Sequence, residues 1–160
     1  MAKIDLGRAP VQEGSGYPAP FHEMAEGRTK WKLGDAGGLS DFGVNLVELP
    51  PDGWSSQRHW HEGEDEFVCV LAGELVLVTN AGETVLRAGD CAAFPKGVDN
   101  AHHLINRSGA PAVYLEVGTR LPQASPCHYP DVDLAFDPAR GGYLRKDGTP
   151  YPKRVQPGNL

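Results

Sequence analysis

His59, His61 and Glu66 put two imidazoles and a carboxylate within eight residues, inside the stretch GWSSQRHWHEGEDEFVCVLAG from Gly53 to Gly73. Those side-chain types at that spacing are metal-ligand chemistry. In an extended strand alternate side chains share a face, so His59 and His61 project together while Arg58 and Trp60 point the other way. Glu62, Gly63, Glu64 and Asp65 are enough for a short acidic turn, after which Glu66 returns a carboxylate beside the imidazoles. Taken singly, a histidine is more often a half-buried polar residue satisfied by hydrogen bonds, and an acidic cluster is more often solvated. The combination outweighs that reading. Glu66 abuts the apolar run Phe67 to Leu71, where an unpaired carboxylate would be costly. Three ligands from one hairpin leave room for a fourth.

The rest of the chain must position this group. Its 160 residues suit one domain with a sizeable core, and 20 Gly with 14 Pro at 40% apolar content point to many short strands joined by turns. A net charge of -6 without a basic stripe argues against nucleic-acid or anionic-membrane surfaces. No apolar run approaches a membrane span, and the first residues lack the hydrophobic segment of a signal peptide, so a cytoplasmic location is expected. Cys69, Cys91 and Cys127 are odd in number and lack CxxC spacing, which reads as free thiols.

Along the chain, residues 1–40 form a Gly- and Pro-rich arm with a strand near Thr29 to Leu33. Residues 41–119 hold the strand-dense core: Phe42 to Leu49, the histidine strand, Glu66 to Leu71, Glu74 to Thr79, Thr84 to Arg87, Cys91 to Phe94, a strand through AHHLINR, and Ala112 to Gly118. Both faces of Leu75 to Val78 are apolar, which needs a sheet covered on both sides. Residues 120–160 carry seven of the fourteen prolines and read as a second arm, expected to lie across the core or a partner subunit. Strands of this length and spacing describe an all-β antiparallel sandwich or barrel.

The spacings resemble those of the cupin superfamily. Its first motif, G-x(5)-H-x-H-x(4)-E-x(6)-G, is met by Gly53, His59, His61, Glu66 and Gly73. The second, G-x(5)-P-x-G-x(2)-H-x(3)-N, is met by Gly89, Pro95, Gly97, His102 and Asn106, except that four residues, Val98 to Ala101, stand where the pattern has two. The resemblance covers residues 42–118 and implies an antiparallel jelly-roll barrel; the extended N- and C-terminal arms lie outside it. It also implies one divalent metal, Zn, Fe, Mn or Ni, on His59, His61, Glu66 and His102. The longer loop leaves His103 as the rival fourth ligand, and the gap to Asn106 favours His102.

Fold does not name a reaction. Single-domain cupins with an Asp-Gly-Thr-Pro-Tyr run near the C-terminus, here Asp147 to Tyr151, are similar to bacterial proteins labelled sugar-phosphate isomerases. The expectation is therefore a metal-dependent enzyme acting on a small polar molecule such as a sugar phosphate. An iron-dependent dioxygenase and a non-catalytic small-ligand binding or sensor module stay open as alternatives. Tyr114 and Glu116 are the acid and base candidates on the last strand, although Val113, Leu115 and Val117 make the more natural core face. Arg58, Arg87, Lys96 and Arg107 are the cations considered for a phosphate, with Arg58 pointing away from the ligands. The longer loop and the two arms are expected to shape the reaction. Strands apolar on both sides, together with the arms, suggest a homodimer.

Overall fold

The computed structural model describes residues 3–121, 123 and 125–152. Thirteen strands run in chain order as β1 (Val11–Glu13), β2 (Thr29–Lys32), β3 (Phe42–Leu49), β4 (Trp60–His61), β5 (Glu66–Ala72), β6 (Glu74–Thr79), β7 (Gly82–Arg87), β8 (Cys91–Phe94), β9 (His103–Ile105), β10 (Ala112–Thr119), β11 (Cys127–Tyr129), β12 (Leu134–Asp137) and β13 (Gly142–Leu144). They pair antiparallel in three sheets, β1-β2-β3-β10-β5-β8, β13-β12-β11-β4 and β7-β6-β9. The result is a jelly-roll-type β-sandwich rather than one closed barrel, with arms at both ends that join its sheets.

The six-stranded sheet fixes which side chains face inward. β10 is central, with Tyr114 opposite Val47 and Val70, and Glu116 opposite Asn45 and Val68. Val47, Val70 and Tyr114 are essentially inaccessible and belong to one core with Leu49, Leu75, Leu86 and Leu104. Tyr114, not Val113, Leu115 and Val117, therefore supplies the core face of β10, which corrects the sequence expectation. Alternation failed here because the outer face is apolar too: Leu115 lies between Leu46 and Cys69, with Trp31 and Cys91 extending the row.

The motif glycine and asparagine have structural duties. Gly73 has φ 77°, and a Cβ there would lie 2.9 Å from Cα and Cβ of Ala112, so the β5–β6 turn admits no side chain. Asn106 is fully buried; its Nδ2 donates to the carbonyls of Leu49 and Ala110 (2.9 and 2.8 Å), and its Oδ1 accepts from the N–H and hydroxyl of Ser108 (2.9 and 2.7 Å). All four of its hydrogen-bonding capacities are used, which closes the turn before β10.

The arms are more ordered than their composition suggests. The N-terminal one adds β1 as well as β2. The C-terminal one contributes β11 to β13, and β11 pairs with β4 so that Cys127 faces His61 and His128 faces Trp60. A second hydrophobic cluster joins the two arms: Tyr17 packs with Cys127, Tyr129 and Leu134, with Phe21, Tyr143 and Tyr151 against them. Strand propensity in CHY, LAFD and GYL is real but each run is only three or four residues long, too short for periodicity to register. Residues 153–160 of this arm lie outside the described residues. Among the described residues no helix is long and apolar enough to cross a membrane.

Candidate metal centre

The stretch from His59 to Glu66, which does not pair as the expected hairpin because β4 and β5 join different sheets, and the residue just before β9 bring four donor side chains to one wall of the sandwich. His59 and His102 are tied backbone to backbone, each N–H donating to the other's carbonyl (3.1 and 2.8 Å), which sets their rings side by side with centroids 5.0 Å apart. His61, one residue past Trp60, presents its ring edge-on to His59 at 4.9 Å. Glu66 opens β5 and points inward, and its Oε2 lies 2.9 Å from Nε2 of His102 and 3.6 Å from Nε2 of both His59 and His61.

The acidic turn between His61 and Glu66 is held by named partners. Asp65 Oδ1 accepts from the N–H of Lys96 (2.9 Å), Glu64 Oε1 from the N–H and hydroxyl of Ser125 (3.3 Å each), and Glu62 pairs with His128 at 2.7 Å. These contacts fix how the chain returns to Glu66.

His59, Glu66 and His102 offer donor atoms within 4.8 Å of one another, and His61 reaches Glu66 at 3.6 Å without joining that group. Around one ion with bonds of about 2.1 Å, neighbouring ligand atoms sit roughly 3.0 to 3.4 Å apart, close to the 2.9 and 3.6 Å observed. Nδ1 of His59 donates to the carbonyl of Gln57 (2.9 Å), which orients the ring with Nε2 toward Glu66. His102 is clamped by Phe94, whose ring stacks on it at 3.5 Å. Nδ1 of His61 is buried without a hydrogen bond; its nearest carboxylate oxygen, on Glu64, is 3.7 Å away. Burial disfavours the charged Glu66 carboxylate, but hydrogen bonds from His102 and His59 and the imidazole charges outweigh it and hold its pKa well below the usual range. Burial likewise works against the charged His59, which Glu66 nonetheless raises, whereas burial wins at His61 and lowers it.

His103 lines the same cavity but has other partners. Its ring meets the edge of Trp54 at 4.7 Å, its Nδ1 donates to the carbonyl of Ser56 at 3.1 Å, and burial pushes its pKa down to about 4. Cys127 also approaches the imidazoles: its Sγ and donor nitrogens of His59 and His61 lie within 4.8 Å of one another, as do the donors of His59, Glu66 and His102. Sequence spacing could not flag this thiol, because only β4–β11 pairing brings it there. Burial raises its pKa to about 12, which keeps it a neutral thiol, while Glu66 reaches all three histidines with a carboxylate.

These donors line a cavity of about 380 Å³, within the range of small-molecule sites. Tyr114 and Glu116 line it as well. Glu116 accepts from Asn45 Nδ2 (2.8 Å) and is paired with Lys30 Nζ (2.5 Å), and the Tyr114 hydroxyl is 3.4 Å from its other oxygen. Burial holds the Tyr114 phenol well above its ordinary pKa.

The arms close the cavity with Tyr17, Arg28, Lys30, Tyr129 and Tyr143, none of which the motif spacing indicated. Of the cations considered from sequence, none lines it: Arg58 pairs with Asp131, Arg87 with Glu74 and Arg107 with Glu83, and Lys96 is exposed. The longer loop does not line this cavity, but its Val98 and Asn100 line a smaller pocket on the donors with His61, Glu66 and His102. Its Asp99 carbonyl and Asn100 side chain take hydrogen bonds from Asn80 on the β6–β7 turn.

A β-sandwich that gathers three imidazoles about one carboxylate at a cavity wall is the architecture of a cupin. The Cupin domain family model matches residues 45–118. A sugar phosphate isomerase of the cupin superfamily from Silicibacter pomeroyi is 48% identical, with 94% of this chain and 97% of that one covered and a TM-score of 0.87. A candidate sugar phosphate isomerase from Acidithiobacillus ferrooxidans is 32% identical over 68% of each chain, TM-score 0.64. A predicted oxalate decarboxylase from Thermotoga maritima, 22% identical over 75% of this chain and 100% of that one with TM-score 0.56, shares the fold. Among curated proteins none matches. The chain belongs to the cupin superfamily.

Proposed function

We propose that the protein is a metal-dependent enzyme that binds one divalent ion on His59, His61, Glu66 and His102 and isomerises a small polar substrate of the sugar-phosphate kind. The observation that carries this reading is the convergence of three Nε2 atoms on one oxygen of Glu66, 2.9 to 3.6 Å away, at a cavity that also holds a carboxylate and a phenol. The ion, when bound, supplies a Lewis acid that polarises a substrate oxygen. The remaining work belongs to the chain. Interconverting neighbouring carbonyl and hydroxyl carbons requires a proton to leave one carbon and return to the next. Glu116, oriented by Asn45 and Lys30, is the group placed to take that proton, and the neutral phenol of Tyr114 is placed to hold its second oxygen. His59 and His102 are braced by their backbone bridge, by Phe94 and by Tyr129, which stacks on His59, and Tyr17 and Tyr143 of the arms line the same cavity.

Elemental analysis and solvent-exchange NMR test the reading. One equivalent of Zn, Mn, Fe or Ni is expected per chain, together with deuterium incorporation at the carbon next to the carbonyl when sugar phosphates are incubated in D2O. Glu116→Gln is expected to retain the metal and lose the exchange. Tightly bound iron with oxygen uptake would point to a dioxygenase instead, and ligand binding without exchange or turnover to a binding module.

The apolar outer face of the six-stranded sheet, with Phe67 and Leu71 exposed beside the row from Trp31 to Cys91, supports a homodimer through that face, read out by light scattering.

A further inference from the structure

Arg28, the residue before β2, is 7% exposed and lines the cavity. Its Nε and Nη2 donate to the carbonyl of Gly14 (3.1 and 2.6 Å), and its Nη1 to the carbonyl of Ser55 (2.5 Å). All of these acceptors are neutral. Among the described residues no carboxylate lies within 4.0 Å of this guanidinium, whereas the more exposed Arg58, Arg87 and Arg107 each have one. A guanidinium has five N–H groups; three such bonds leave one hydrogen on Nη1 and one on Nη2. A buried positive charge without a counter-charge is costly to keep and is stabilised by an anion brought to it.

The surroundings suit an anion. Arg28 is close enough to Tyr17, Tyr114 and Tyr143 to draw their phenols toward the ionised form, yet burial overrides it and all three stay neutral O–H groups. The same turn fixes this site relative to the metal wall. Ser55 receives the Arg28 hydrogen bond, and the hydroxyl of the next residue, Ser56, lies 3.2 Å from Nδ1 of His59.

We propose that Arg28, with the phenol of Tyr17 beside it, forms an anion-binding subsite at the arm-built end of the cavity that takes the phosphate or carboxylate group of the substrate. The proposal rests on the reading of this cavity as the substrate site and names what grips the substrate's charged end. A substrate then spans the cavity, its anion on Arg28 and its oxygen donors toward His59, His61, Glu66 and His102.

Calorimetric titration of the full-length protein with inorganic phosphate, with acetate and with glucose tests it, alongside metal content for every variant. The wild type is expected to bind phosphate or acetate and to bind glucose less well. Tighter phosphate assigns a phosphorylated substrate, and tighter acetate a sugar acid or keto acid. Arg28→Gln is expected to weaken the anion about tenfold or more, the loss of a charge-assisted pair, with metal content unchanged. His102→Ala is expected to lose metal and retain the Arg28-dependent anion binding, so failure of the metal reading and failure of this subsite are told apart. Should Gln at position 28 release the arm, seen as a lost near-UV dichroism signal, Arg28→Lys carries the test: it keeps the charge but not the planar fork, and a several-fold weakening is expected. Wild-type protein that binds neither anion, or folded Arg28 variants that bind as the wild type does, would overturn the proposal.

Discussion

The two ends of the cavity are built in different ways. The candidate metal wall takes His59, His61 and Glu66 from one short stretch of chain and His102 from the segment bridged to His59; the acidic turn does not close a hairpin, because β4 pairs with β11 and β5 with β10 and β8 in another sheet. The arm-built part takes Tyr17 and Arg28 from the N-terminal arm and Tyr143 from the C-terminal one, with Tyr129 joining it to the donors by stacking on His59 at 5.8 Å, and it is held by packing between segments more than a hundred residues apart. The ligand set of the first can persist while the second is rebuilt, which is how one fold can serve unrelated substrates.

Breaking the metal wall should have the largest effect. Glu66→Gln removes the oxygen that meets all three imidazoles and is expected to weaken metal binding by at least ~100-fold, beyond the loss typical of outer-sphere partners, and to abolish turnover. Tyr143→Phe, at the other end, should leave metal content unchanged. A comparable metal loss in both variants, measured by elemental analysis after dialysis, would mean that the two ends are not separable.

Packing of the arms is the next test. Leu134 is 1% exposed in the cluster that joins them, and Leu134→Ala should cost about 3 kcal/mol in urea unfolding, as core truncations do. The folded fraction should still carry metal. Truncation after Arg120 should lower the melting temperature further, since β4 then loses β11.

A smaller effect separates the adjacent histidines. The His103 pKa, about 4 in the folded protein against an ordinary 6.5, means that the unfolded chain binds the proton more tightly. Stability from this residue is complete above pH 6.5 and falls as pH drops toward 4, by up to about 3 kcal/mol at ~1.4 kcal/mol per unit. His103→Gln should flatten that part of the stability profile, and an unchanged profile would contradict the burial argument. Smallest of all is Arg58→Ala, which removes a partly exposed pair with Asp131 and should change stability by less than about 1 kcal/mol and leave turnover intact.

The same contrast accounts for what could be read in advance. Strand β3 was legible to the residue, and motif spacing pointed to the four donor positions that the structure brings to one cavity, because three of them lie within eight residues of one another. The inward face of β10 was not legible: with Leu115 and Tyr114 both covered by apolar neighbours, alternation carries no sign. Arg28 carries no local signal either, since its burial depends on Gly14 and Ser55, one before it and one well after it in the chain. Cys127 reaches His61 only through the β4–β11 pairing, and the four-residue loop Val98 to Ala101 docks on Asn80 while its Asn100 carbonyl lies 3.4 Å from Nδ1 of His102.

The most direct test of the account is the metal content of three purified proteins: wild type, His102→Ala and His103→Ala. About one divalent ion per chain in the wild type and in His103→Ala, with loss in His102→Ala, is the predicted result. A metal-free wild type under conditions that load other proteins, or loss confined to His103→Ala, would contradict it.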